Sequence, residues 1–128
     1  MNNIIKTDCP LEYASFIIGG KWKLRILWIL SQADYVRFNA LKRDLDGITD
    51  LMLTKSLKEL VSADVVKRVQ YNEIPPRVEY SLTENGEDLK EVINAMRNYG
   101  LKYKNVVGDN VDEWDNENNG HYWVWLFR

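Results

Sequence analysis

Two side chains have obvious reactivity, the thiol of Cys9 and the imidazole of His121. Cys9 precedes Pro10 and follows Lys6 closely, at the start of a segment that reads as a helix. A helix N-terminus and a nearby cation both favour a thiolate, the form that oxidants and electrophiles attack. The plain alternative is a cysteine that caps and packs. His121 stands alone, and the acids around it lack metal-ligand spacing. With no nucleophile–base–acid set and no glycine-rich phosphate loop, neither an enzyme nor a metal or cofactor site is expected. Cations offer a different chemistry. Thr54, Lys55 and Lys58 fall on one side of a helical segment, where lysine can neutralise phosphate or donate to guanine O6 and N7. Thr49 and Asp50 stand where that segment begins. Lys42 and Arg43, on a preceding segment, are better placed for a phosphate backbone than for base edges. Arg77, beside a turn, has the reach for a minor groove or a flanking phosphate. Against this stands a solvated helix face for the lysines, and for Arg77 an ion pair with Glu73 or Glu79.

The stretch Gly47–Ala63 must position most of these groups. Thr49 can cap a helix beginning at Asp50, and Met52, Leu53, Leu57, Leu60 and Val61 recur at spacings that put them on one packing face. Residues 65–71 are rich in β-branched types, Asn72–Pro76 is a turn, and Arg77–Leu82 alternates polar with apolar. Phe38–Leu45 reads as a shorter helix before the turn Asp46–Ile48, and residues 34–37 as a very short strand. Helix, turn, helix and hairpin is the order of a winged helix-turn-helix, an α+β and mainly helical fold. The same order also occurs in small α+β domains that bind no DNA.

Earlier in the chain, Pro10–Ile18 predicts a helix that ends at Gly19–Gly20. Lys21–Leu30 predicts an amphipathic core helix through Trp22, Ile26, Leu27, Ile29 and Leu30. After the hairpin, Thr83–Gly86 resembles a capped start, and Leu89, Val92, Ile93, Met96, Tyr99 and Tyr103 recur every three or four residues. That apolar face exceeds what a small domain needs, so a dimer contact is expected. Trp22, Trp28, Phe16 and Tyr99 invite the idea of an aromatic pocket for a small-molecule effector. Aromatic residues at such spacing more often form core or interface.

With 45% hydrophobic residues, the 128-residue chain is expected to form one domain over residues 1–108, followed by an acidic linker and aromatic tail over 109–128. The tail carries five acids against Arg128, whereas the rest has 16 basic and 14 acidic residues. The overall pI near 5.4 therefore hides a mildly positive body, and indiscriminate polyanion binding is not expected. No leader-like or bilayer-spanning apolar run is seen, and a single cysteine fits a reducing cytoplasm.

Gly19-Gly-Lys-Trp22, Arg37-Phe38, Leu41, Gly47-Ile48, Met52-Leu-Thr54, Leu57, Leu60, Pro75-Pro-Arg-Val-Glu-Tyr-Ser-Leu-Thr83 and Gly86 together resemble the HxlR-type bacterial transcriptional regulators. The resemblance spans about Cys9 to Gly100. It implies a cytoplasmic homodimer with N- and C-terminal dimerisation helices, binding double-stranded DNA at a pseudo-palindromic operator. It also implies redox sensing at Cys9, because several members sense oxidants or electrophiles through a cysteine near this position. Asp50 and Leu51 depart from the family pattern, which often has polar or basic residues there, and the tail from Asp109 has no counterpart. A winged-helix protein-interaction module without specific DNA binding is the other reading.

Overall fold

The computed structural model describes residues 7–107. Five helices and three short strands follow in the order α1 (Pro10–Ile18), α2 (Lys23–Ser31), β1 (Val36–Arg37), α3 (Phe38–Asp44), α4 (Asp50–Ser62), β2 (Val66–Tyr71), β3 (Arg77–Leu82) and α5 (Glu84–Val107). The strands form one antiparallel sheet in the order β1-β3-β2. Val36 faces Tyr80, and Val66 faces Leu82. This is a winged helix-turn-helix: α3 and α4 flank the turn, β2 and β3 make the wing, and β1 pins α3 to the wing's inner strand.

The core is an aliphatic cluster drawn from every layer. Ile26, Leu27 and Leu30 of α2, Leu41 of α3, Leu53, Leu57 and Leu60 of α4, and Val65 and Val66 at the wing's entry are all essentially inaccessible. Burial of each such side chain contributes roughly 1.5–3 kcal/mol, which offsets the entropy of ordering short elements that would not hold alone. The central strand β3 supplies Tyr80, and α5 supplies Ile93.

Two expectations need correction. The apolar spacing puts Met52 and Val61 on the packing face of α4, yet they are 41% and 36% exposed. Successive helical residues are separated by about 100°, so the neighbours of Leu53 and Leu60 swing off a seam as narrow as Leu53, Leu57 and Leu60. The second correction concerns α2, which starts at Lys23 rather than Lys21 because Gly20 takes φ +94° and leaves Trp22 as the N-cap. Trp22 is nevertheless buried, as expected, while Ile29 is only partly so.

Glycine matters at two sites. Gly47 has φ +86° in the turn between α3 and α4, a backbone setting that side chains with a Cβ rarely adopt. Gly86, in the first turn of α5, lies against the backbone of Val65: an added Cβ would sit 2.1 Å from its carbonyl oxygen. Thr83 fixes the same junction. Its hydroxyl donates to the Asp64 carbonyl and accepts from the Gly86 N–H at 3.0 Å, and the Thr83 N–H donates to the Val65 carbonyl at 3.1 Å. Gly86→Ala is expected to destabilise the protein by about 1–3 kcal/mol or more, as overpacking against immovable backbone does. Urea unfolding of parent and variant measures this.

Candidate nucleic-acid interface

The exposed side of α4 is set by the same residues that bury the other side. Thr49 has extended backbone and accepts a hydrogen bond from the Met52 N–H at 3.2 Å, so it ends the turn and starts the helix as its sequence context predicts. A lost cap of this kind typically costs about 1 kcal/mol. Asp50 follows in the first turn, where a carboxylate suits the positive end of the helix. Its Oδ1 also lies 2.6 Å from Nζ of Lys42, which ties the end of α3 to the start of α4. Both side chains remain largely in water, so this pair contributes little stability but does cancel one charge of each sign.

Glu59, the other acid of α4, is taken up in the same way. Lys23 of α2 reaches it at 2.6 Å, with both side chains less than a third exposed. With Asp50 and Glu59 each held by a lysine of another helix, the cations Lys55 and Lys58 are the uncompensated charges of α4. Neither is in a salt bridge among the described residues, and both are exposed, while Thr54 beside them is half-buried. Arg43 is exposed on α3 and is likewise outside those pairs.

Lys55, Lys58 and Thr54 line a groove of about 990 Å³ between α4 and the wing. Arg68 of β2 lines it from the opposite wall, where its Nη2 donates to Oε1 of Gln70 at 3.3 Å. The sequence reading missed Arg68. The available signal was its place in a strand next to Lys67, but the strand's alternation does not say which face looks toward α4. Leu51, 79% exposed in the first turn of α4, lines the same groove.

Arg77 is placed differently. The ion pair that the sequence allowed is present, and with both acids: Nη2 is 3.3 Å from Glu73, and Nε is 3.5 Å from Glu79. Its guanidinium also lies over the Tyr71 ring at 4.2 Å. Glu79 is almost wholly buried, so Arg77 serves as the cation that makes a charged carboxylate tolerable in the wing.

Cys9 is exposed and occupies the N-cap position of α1, with its backbone N–H donating to the Thr7 hydroxyl at 3.1 Å. The four aromatic residues considered as a pocket do not converge. Trp22 is buried, Phe16 and Tyr99 are exposed, and of the four only Trp28 lines the cleft between α2 and α5. Among the described residues no cluster of His, Cys, Asp or Glu could hold a metal ion, and no helix is long and apolar enough to cross a membrane. His121 and the aromatic tail lie outside the described residues.

A helix-turn-helix whose second helix offers unpaired lysines beside a wing is the architecture of a DNA-binding transcriptional regulator. Comparison with known proteins makes the class specific: the model of the HxlR-like helix-turn-helix family matches residues 17–107, and the chain belongs to that family. The family is one of transcriptional regulators rather than enzymes. Among its relatives, a regulatory protein named MalR from Fusobacterium mortiferum is 46% identical over 95 residues, covering 74% of this chain and 90% of that one. The redox regulator HypR is similar in both its oxidised and reduced forms. The reduced form has a TM-score of 0.75 and 37% identity, covering 77% of this chain and 97% of that one. The oxidised form has a TM-score of 0.70 and 39% identity, covering 73% and 96% respectively.

Arg77→Ala is expected to cost on the order of 1–3 kcal/mol, because it leaves the Glu79 carboxylate without its cation. Lys58→Ala, on an exposed face with no ion pair, is expected to change stability by less than about 0.5 kcal/mol. Chemical denaturation of the two variants in parallel checks the contrast.

Proposed function

We propose that this regulator binds a pseudo-palindromic operator as a cytoplasmic homodimer, each copy laying α4 in a major groove, with redox control through Cys9. The observation that carries the DNA reading is the charge arrangement of α4. Its acids are neutralised by lysines of neighbouring helices, Lys42 and Lys23, and Lys55 and Lys58 line the groove with Arg68 across it. In this reading Thr54, Lys55 and Lys58 meet base edges and nearby phosphates. Thr49, Arg43 and the Lys42–Asp50 pair border the backbone at the helix start. Asp50, held by Lys42, is not repelled by phosphate as a bare carboxylate would be. Arg77 acts on DNA by holding the wing in shape through Glu73, Glu79 and Tyr71.

The dimer reading rests on apolar surface. Leu11, Tyr13 and Phe16 of α1 are 47–81% exposed, and Val92, Tyr99 and Tyr103 of α5 are 41–68% exposed. The rings of Tyr99 and Tyr103 pack against each other at a tilt of 45°, with centroids 4.9 Å apart on that outer face. Helices that leave so much aromatic and aliphatic surface in water are suited to pairing. A dimer joined through them would present two copies of α4, and operator binding requires these to stand about one turn of DNA apart.

The redox reading draws on the HypR likeness together with the exposure of Cys9. With one cysteine in the chain, a disulfide would have to join two copies or a small thiol.

Fluorescence anisotropy with the DNA upstream of the protein's own gene, against a scrambled duplex, tests the main reading. Preferential binding should weaken steeply with salt, and Lys58→Ala should flatten the slope of log K against log salt by about 0.9 per copy, roughly 1.8 for a dimer. No binding to either duplex even at low salt would instead favour a protein partner docking on Leu51. For Cys9, an oxidant is expected to shift DNA affinity of the parent and leave Cys9→Ser unaffected. Equal responses would remove the sensor role.

A further inference from the structure

The cleft between α2 and α5 has a volume of about 450 Å³ and a floor of Leu24, Trp28, Ile29, Leu45 and Ile93. Its rim is basic. Arg25 lies over the Trp22 ring at 5.2 Å and Arg97 over the Trp28 ring at 5.3 Å. Both arginines are exposed, and neither enters a salt bridge among the described residues. Asp44, at the end of α3, is the acid on the rim. An open apolar floor flanked by two unpaired guanidinium groups suits an occupant with large apolar side chains next to carboxylates.

This chain carries such a segment. The family match stops at residue 107, where α5 ends, and 21 residues follow. Residues 109–119 hold five acids and no Lys or Arg, and Gly120–Arg128 contains Tyr122, Trp123, Val124, Trp125, Leu126 and Phe127 in one run. Left in water, that run would be an aggregation hazard. The reach is sufficient. Arg97 stands ten residues before Val107, about 15 Å back along the helix, and the twelve residues 108–119 can span up to about 40 Å. Charge and chain length therefore favour return to the same domain.

We infer that Gly120–Arg128 packs its aromatic side chains into the α2–α5 cleft of its own chain, with the acidic stretch 109–119 against Arg25 and Arg97. The outer face of α5, through Val92, Tyr99 and Tyr103, stays free, so the inference stands or falls apart from the dimer and DNA readings. The occupied cleft borders Asp44 and Leu45, at the end of the first helix of the helix-turn-helix. The tail would thus brace α3 as well as cover apolar surface.

The full chain labelled with 5-fluorotryptophan gives a direct readout, its five indole signals assigned by single Trp→Phe changes. In the parent, Trp123 and Trp125 should show a small fluorine shift between H2O and D2O, as sheltered rings do. In Arg25→Glu/Arg97→Glu, the shift should rise to that of the free amino acid while circular dichroism stays unchanged. Asp112→Asn/Glu113→Gln/Asp115→Asn, which leaves the helical domain untouched, should release the same two signals. Rings exposed in the parent, or still sheltered in both variants, would overturn the inference. Shelter that disappears on dilution would assign the tail to a second copy and overturn it equally.

Discussion

Everything the molecule offers to DNA depends on a three-leucine seam. Leu53, Leu57 and Leu60 are each at most 1% exposed, and they fix the rotation of α4 about its own axis. A helix has only one face to bury when its seam is this narrow, and the rest of its circumference is released for polar contact. The seam packs on α2 and on the start of β2, both of which belong to the same aliphatic cluster. Rotating α4 to hide Met52 or Val61 would expose one of the leucines, so the outward direction of Lys55 and Lys58 follows from apolar packing rather than from any interaction of the lysines themselves.

Electrostatics then refines what packing allows. The chain as a whole is slightly acidic, which would discourage approach to a polyanion if the charges were evenly spread. They are not. Each acid of α4 is matched by a lysine from a neighbouring helix, and the buried carboxylate of the wing is matched by Arg77. Local pairing removes the negative potential where it would matter most. Net charge is accordingly a poor guide to the sign of the surface beside α4.

Much of this was legible beforehand, and the reasons are physical. Thr49 before an apolar-periodic run, the turn Asn72–Pro76 and the alternation in Arg77–Leu82 are local signals, so the two helix-turn-helix helices and the hairpin could be placed with near-correct bounds. The motifs Gly19-Gly-Lys-Trp22 and Pro75–Thr83 carried the family. What was not legible is angular and tertiary. Whether Met52 belongs to the seam depends on how wide a surface α2 and β2 present, and that is written in other parts of the chain. The partners of Asp50, Glu59 and Arg77 involve choices among several nearby charges that spacing alone leaves open. Arg68 escaped notice because its relevance exists only once β2 is laid beside α4.

The junction at Thr83 has a mechanical meaning beyond its stability. Strand β3 ends at Leu82 and α5 begins at Glu84, so a single residue separates the wing from the longest helix, and Gly86 presses that helix onto the Val65 backbone. There is no slack loop to absorb a tilt. At about 36 Å for its 24 residues, α5 is a lever: a swing of about 5° would carry one end about 3 Å relative to the other. A force on the outer part of α5 would therefore reach the root of the hairpin with only Thr83 between them.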